Sequence, residues 1–345
     1  MSVHVGVGLF TGQIPPGSER TFTQEYRDSV ELVRLAEALG FESAWVSEHH
    51  GAGDGYLPSL LPMLAAFAAA TERIALGTGI VLTPFHDPLR LAEDAAVVDQ
   101  LSGGRVLLGL GIGWREEEFR MFGVPIAERL ARTVETIEIL RRAWSGRRFS
   151  FIGRAFRYEQ VKVTPAPARA GGPPILLGGY AEAAVRRAGR LGDGYITDAD
   201  ALSEVLPAIA PFEEGAREVG KDPRTLLLVL LQNVVVSPDG SGWKVAGPGV
   251  AHQVGTYRAW ESGVDTPERD RFELGPPDEQ AMLSWTVAGT PPEVARTIRP
   301  IVDAFRDRAE LHLVVRMHYP GMTFEQASGM FESFARDVLP AIRGD

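Results

Sequence analysis

Three titratable side chains stand together at Glu48-His49-His50, directly after the β-rich run 41–47. A carboxylate and two imidazoles at a strand end can exchange protons near neutral pH. Adjacent side chains on an extended chain point to opposite faces, so His49 and His50 fit two cis metal ligands poorly, and no metal-ligand set is expected. Glycines then recur at strand ends, in Gly77-Thr78-Gly79 and in Gly109-Leu110-Gly111-Ile112-Gly113. Glycine weakens a strand and marks either close approach of a ligand to the backbone or room for bulky neighbours, and both readings stay open. Gly178-Gly179-Tyr180-Ala181 precedes a helical stretch, where free backbone N–H groups make an anion site. Gly192-Asp193-Gly194 is a second candidate of that kind, whereas Gly289-Thr290-Pro291-Pro292-Glu293 has the chemistry of a capped helix start.

These residues need elements to hold them. Strand-like runs fall at 3–10, 41–47, 74–82, 106–111, 175–177, 194–197, 226–236 and 311–315, and most are followed by a helical period. The runs Val106–Leu110 and Val229–Val236 are almost continuously apolar, as strands covered on both faces should be. Eight such units favour a closed (β/α)8 TIM barrel, an α/β fold, over an open doubly wound sheet. No Gly-x-Gly-x-x-Gly turn follows the first strand, which weakens a dinucleotide fold further. The chain therefore reads as a single domain over 1–345. Segment 238–284 breaks the alternation and is expected to be an insertion at the C-terminal face, either a lid over the site or a plain surface excursion.

Composition narrows the function classes. The 345 residues carry 45 acidic and 35 basic side chains, a net charge of −10, with no basic stripe, so a nucleic-acid partner is not expected. The absence of cysteine removes disulfides, thiolate metal sites and thiol nucleophiles. No signal-type start or membrane-length apolar stretch is seen, so a cytoplasmic location is expected.

Several segments together resemble the bacterial luciferase-like, flavin-dependent oxidoreductases: Ala36–His50, Arg73–Arg105, Leu107–Gly123, Pro173–Ile196 and Ala288–Ile298. The resemblance covers nearly the whole chain except 238–284. It implies a (β/α)8 barrel with reduced FMN, or in one branch the deazaflavin coenzyme F420, at the C-terminal mouth. It places the functional histidine on His49 with Glu48 beside the ring, and a non-proline cis peptide at Gly79-Ile80. It assigns Gly111 and Trp114 to the cofactor's surroundings, and a phosphate grip to Gly178, Gly179 and Tyr180 with Arg129 as cation. The arginine and cysteine that luciferase carries after strand four are replaced by Ile112 and Gly111, so light emission from an aldehyde is not expected.

The expected activity is a monooxygenase using reduced FMN and oxygen on a small organic substrate, with reduced flavin supplied by a separate NAD(P)H:flavin reductase. The alternatives are F420-dependent hydride transfer and a non-catalytic flavin-binding protein. Phe10, Trp285, Met317 and His318 are candidates for the substrate pocket, and a homodimer is the expected assembly.

Overall fold

The computed structural model describes residues 2–199, 202–262 and 282–343. Eight parallel strands close into a barrel: β1 (Ser2–Phe10), β2 (Ser43–Val46), β3 (Ala75–Thr78), β5 (Val106–Gly111), β8 (Ile175–Gly178), β9 (Gly194–Asp198), β10 (Leu227–Val236) and β12 (Glu310–Arg316), with β12 returning to β1. They are the eight strands the sequence pattern predicts. The seam pairs His4 with His312 and Val7 with Val315, joining the two ends of the chain. Three pieces lie off the ring. β4 (Val81–Leu82) continues β3 along β5, β6 (Phe149–Ile152) and β7 (Arg157–Val161) form an antiparallel hairpin, and β11 (Thr286–Gly289) pairs with the outer end of β10.

The barrel interior is plugged by Trp45, Leu107, Leu176, Ile196, Leu227, Val229 and Val314. Several strand glycines serve this packing rather than a ligand. A Cβ on Gly77 would lie 2.1 Å from the Trp45 indole, and one on Gly109 would lie 2.1 Å from the Thr78 carbonyl oxygen. Gly111, expected near a cofactor, makes room for Ile80, whose Cδ1 would stand 1.9 Å from an added Cβ. Here the packing reading of the glycines holds.

Helices cover the outside. α1 (Phe22–Ala38) opens with a capping box between Thr21 and Gln24, α2 (Leu60–Ala70) follows β2, and α3 (Pro88–Ser102) starts with Asp87 accepting the Leu89 and Arg90 amides. α4 (Glu116–Met121) is short and α5 (Arg129–Ala143) leads to the hairpin. α6 (Glu182–Leu191) and α7 (Leu202–Glu218) follow β8 and β9.

The segment 238–284 is not irregular throughout. It holds a 19-residue helix, α8 (Trp243–Glu261), and residues 263–281 lie outside the described residues. Three glycines and Pro248 hide this helix from propensity. Gly249 shows why they are there: an added Cβ would meet the Pro320 carbonyl oxygen at 2.6 Å, so small residues let α8 lie against the loop after β12.

The chain ends with α9 (Pro291–Ala304), α10 (Phe324–Ser333), a π turn at Phe334–Val338 and α11 (Leu339–Arg343). α9 carries the expected capping box between Thr290 and Glu293. Among the described residues, no helix is long and apolar enough to cross a membrane.

Candidate active site

At the C-terminal mouth the strand ends open into a cleft of about 700 Å³. Its floor is backbone at Gly8, Gly79 and Gly178, with Ile80 and Ile196 beside them. The peptides Gly8-Leu9 and Gly79-Ile80 are both cis, the second as expected.

His49 stands at one wall, 5% exposed. Its Nδ1 lies 2.9 Å from Glu118 Oε1, and that same oxygen accepts the His50 backbone N–H at 2.9 Å. An oxygen already accepting one N–H is the acceptor for the ring as well, so Nδ1 carries a hydrogen and, in the neutral ring, Nε2 carries the lone pair. The second Glu118 oxygen is buried without a hydrogen-bond partner among the described residues. Around the imidazole stand Tyr56, Tyr257, Trp260 and Trp114, at ring-centroid distances of 4.9, 5.5, 4.7 and 6.4 Å. Burial pushes the Tyr56 and Tyr257 phenols up, so both remain O–H donors, and their hydroxyls lie 3.1 Å apart.

Glu48 does not partner His49. Its Oε1 accepts from His50 Nε2 at 2.8 Å and His86 Nε2 at 3.0 Å, and its Oε2 accepts the Leu82 amide at 2.7 Å. Burial alone would raise this carboxyl, but the hydrogen bonds and charges of the two imidazoles outweigh it and hold it at about 2. The acidic partner of His49 is Glu118 on α4, which sequence reasoning missed. The signal was the run Glu116-Glu117-Glu118 one turn after Trp114, inside the stretch that carries the family resemblance.

The groups expected to grip a phosphate line one part of the cleft. Gly178, Gly179, Tyr180 and Ala181 line it ahead of α6, whose N-cap Ala181 offers no side-chain acceptor, so the first helical amides have no capping side chain. Arg129, donating to the Gly113 carbonyl at 3.2 Å, also lines the cleft. Tyr180 is exposed and donates to Asp198. These side-chain-free walls, the uncapped helix start and Arg129 fit a flat ring with a phosphate-bearing tail.

Trp285 lines the cleft, as expected, but three other pocket candidates do not. A register shift between Val7 and Phe10 turns Leu9 inward and Phe10 outward, where it packs on Phe67. Arg316 and Met317 alternate faces, so Arg316 lines the cleft while Met317 is fully buried in the helix-side core. His318 is buried 3.6 Å from Glu25. Gly192-Asp193-Gly194 is also no anion site. Asp193 accepts the Ile175 amide at 2.9 Å, and Lys221 donates to the Gly192 carbonyl at 2.8 Å, at the opposite end of the barrel.

Arg316 and Gln232 were not foreseen. Both line the cleft, and the Arg316 Nε and Gln232 Oε1 are buried without hydrogen-bond partners among the described residues. Tyr257 and Trp260 come from α8, inside the segment whose purpose the sequence left open.

The model of the luciferase-like monooxygenase family matches residues 3–244. The chain belongs to that family. Among curated members, it is 30% identical over 340 residues to an F420-dependent glucose-6-phosphate dehydrogenase of Nocardia farcinica, covering 92% of this chain and 94% of that one. It is also 30% identical to the F420-dependent hydroxymycolic acid dehydrogenase of Mycobacterium tuberculosis, covering 91% and 84%. Among solved structures, the monooxygenase RslO1 of Streptomyces bottropensis superposes with a TM-score of 0.82 at 28% identity, covering 98% and 99%. This luciferase-like chain is thus an oxidoreductase on a TIM barrel.

Proposed function

We propose that the protein is an F420-dependent dehydrogenase that transfers a hydride from an alcohol carbon of a small organic substrate. The observation that carries this reading is His49: its Nδ1 is fixed by buried Glu118, and it lines the cleft. Dehydrogenation of an alcohol needs two acceptors, one for the hydride on carbon and one for the hydroxyl proton. Bound F420 would supply the hydride acceptor. His49 Nε2 would take the proton, and Glu118 would stabilise the imidazolium that forms. Tyr56, Tyr257, Trp114 and Trp260 would keep water from the reacting atoms. Arg316, buried at the cleft wall, would hold an oxygen of the substrate. The curated relatives named above, both F420-dependent dehydrogenases, support this reading over the FMN monooxygenase expected from sequence.

A second reading, oxygen-dependent monooxygenation with reduced FMN from a separate reductase, rests on the similarity to RslO1. In both readings helix α8 supplies one wall of the cleft, and the chain acts on a small molecule.

One experiment separates the two. Purified protein is titrated with F420 and with FMN, following absorbance and fluorescence, then mixed anaerobically with F420 and a panel of alcohols. Bleaching of the oxidised F420 band without oxygen is the expected result. Tight FMN binding with no F420 binding would overturn the proposal in favour of the monooxygenase.

A further inference from the structure

The base of the barrel, opposite the cleft, carries a second cluster that the proposed activity does not use. His4 on β1 and His312 on β12 are register partners across the seam, their rings stacked with centroids 4.8 Å apart. Glu310, two residues before His312 on the same strand, faces the same way. One ring nitrogen of each histidine and a Glu310 carboxylate oxygen all lie within 4.8 Å of one another.

The outer contacts of the two rings are what set this cluster apart from a chance grouping. His4 Nδ1 is held by Glu42 at 3.0 Å, and His312 Nδ1 by the Ser43 hydroxyl at 3.0 Å. With both Nδ1 atoms occupied, the nitrogen left on each ring is Nε2, and His312 Nε2 already points at Glu310 Oε1, 3.1 Å away. Metal-binding imidazoles are oriented in this way, by a carboxylate or hydroxyl on the far nitrogen. Two imidazoles and one carboxylate are the donors of an open zinc site, in which water takes the fourth position.

Access and reach are also suitable. His4 and Glu310 side chains are 27% and 43% exposed, whereas His312 is 2% exposed and fixes one corner. Donors bound to one tetrahedral zinc ion lie about 3.4 Å apart, so donors within 4.8 Å of one another need to close by about 1.4 Å at most, and the partly exposed His4 and Glu310 side chains have room to move. Arg343 pairs with Glu42 at 2.5 Å, the outer carboxylate, and leaves Glu310 to an ion.

We propose that His4, His312 and Glu310 form a structural site for a divalent transition-metal ion, zinc in the first instance, that ties β1 to β12 where the barrel closes. The sequence expectation of no metal site considered the adjacent pair His49 and His50, whereas His4 has no near neighbour of its kind in sequence. The seam gives it a partner from the other end of the chain.

The test uses the full chain, freed of any affinity tag and stripped with a chelator, then titrated with Zn2+ against a chromogenic competitor and with Co2+ by visible absorbance. The expected result is one equivalent bound, a Co2+ spectrum of low coordination number, and a higher melting temperature with metal. His4→Ala and Glu310→Gln, both at partly exposed positions, should each weaken binding tenfold or more, on the order seen when a ligand or its support is lost. Failure of the parent chain to retain Zn2+, or an equivalent retained undiminished in both variants, would overturn the proposal. Because the cluster lies at the other end of the barrel, F420 binding is a separate readout and should be the same in the variants.

Discussion

The two ends of the barrel pair histidine with glutamate in different ways, and the contrast shows what makes such a pair a candidate for catalysis. At the C-terminal mouth, His49 and Glu118 are almost completely removed from solvent, with aromatic rings on several sides. At the base, His4 and Glu42 are each about a third exposed, and Glu310 is more exposed still. A charge that develops on a buried imidazole beside a buried carboxylate is felt strongly, whereas solvent screens the same pair at the base. The mouth also presents a cleft beside the free nitrogen, and the base presents another imidazole. The first arrangement can exchange a proton with a bound molecule, and the second can close on an ion.

The largest effect should come from His49→Asn. Turnover of any alcohol substrate should fall by about 10²–10⁴-fold, the range for loss of a general base. F420 binding, read by fluorescence, should persist. By contrast, His4→Asn at the base should leave turnover unchanged, and a comparable loss there would erase the distinction between the two ends.

Glu118→Gln should cost less, on the order of 10²-fold in turnover, and, by removing the carboxylate that stabilises the imidazolium, should move the acid limb of the pH–rate profile to lower pH. A merely structural role for Glu118 would lower the melting temperature and leave the profile in place.

Glu48 sharpens the comparison within the mouth itself, because it clamps His50 and His86 rather than serving His49. Its folded pKa of about 2 lies below the ordinary carboxylate value, so its stabilising contribution is fully present above about pH 4.5. That contribution, about 3 kcal/mol from the shift, is lost as pH falls toward 2. Acid unfolding of Glu48→Gln should lack this component, and its acid midpoint compared with the parent checks the point.

The smallest effect concerns two strand glycines. Gly109→Ala meets a backbone carbonyl, so it should destabilise the fold by about 1–3 kcal/mol in denaturant melts. Gly111→Ala meets only the tip of Ile80, which can swing. Its melt should stay near that of the parent, while cofactor affinity weakens as Ile80 moves into the cleft.

Much of the architecture was legible because its causes are local. Apolar runs, helical periods and their alternation mark eight strands, and strand ends mark the mouth. Cleft-lining residues such as Gly79, Gly178, Gly179 and Arg129 follow from the same pattern together with the family resemblance. Helix α8 was not legible, since its glycines lower propensity and gain their reason only from the close approach to Pro320. Phe10 and Met317 were misplaced because the face a residue presents depends on register and bulges, which spacing alone does not fix.

Repeated local patterns along the chain encode the closed α/β barrel, the family and the end of the barrel that opens into a cleft. Only the tertiary structure decided which carboxylate serves which imidazole. His49 takes Glu118 from 69 positions away rather than its neighbour Glu48, and His4 meets His312 from the far end of the chain. Adjacent residues on an extended chain face opposite ways, so the partners that matter for proton transfer or ion binding come from other strands and helices, brought close only when the barrel shuts.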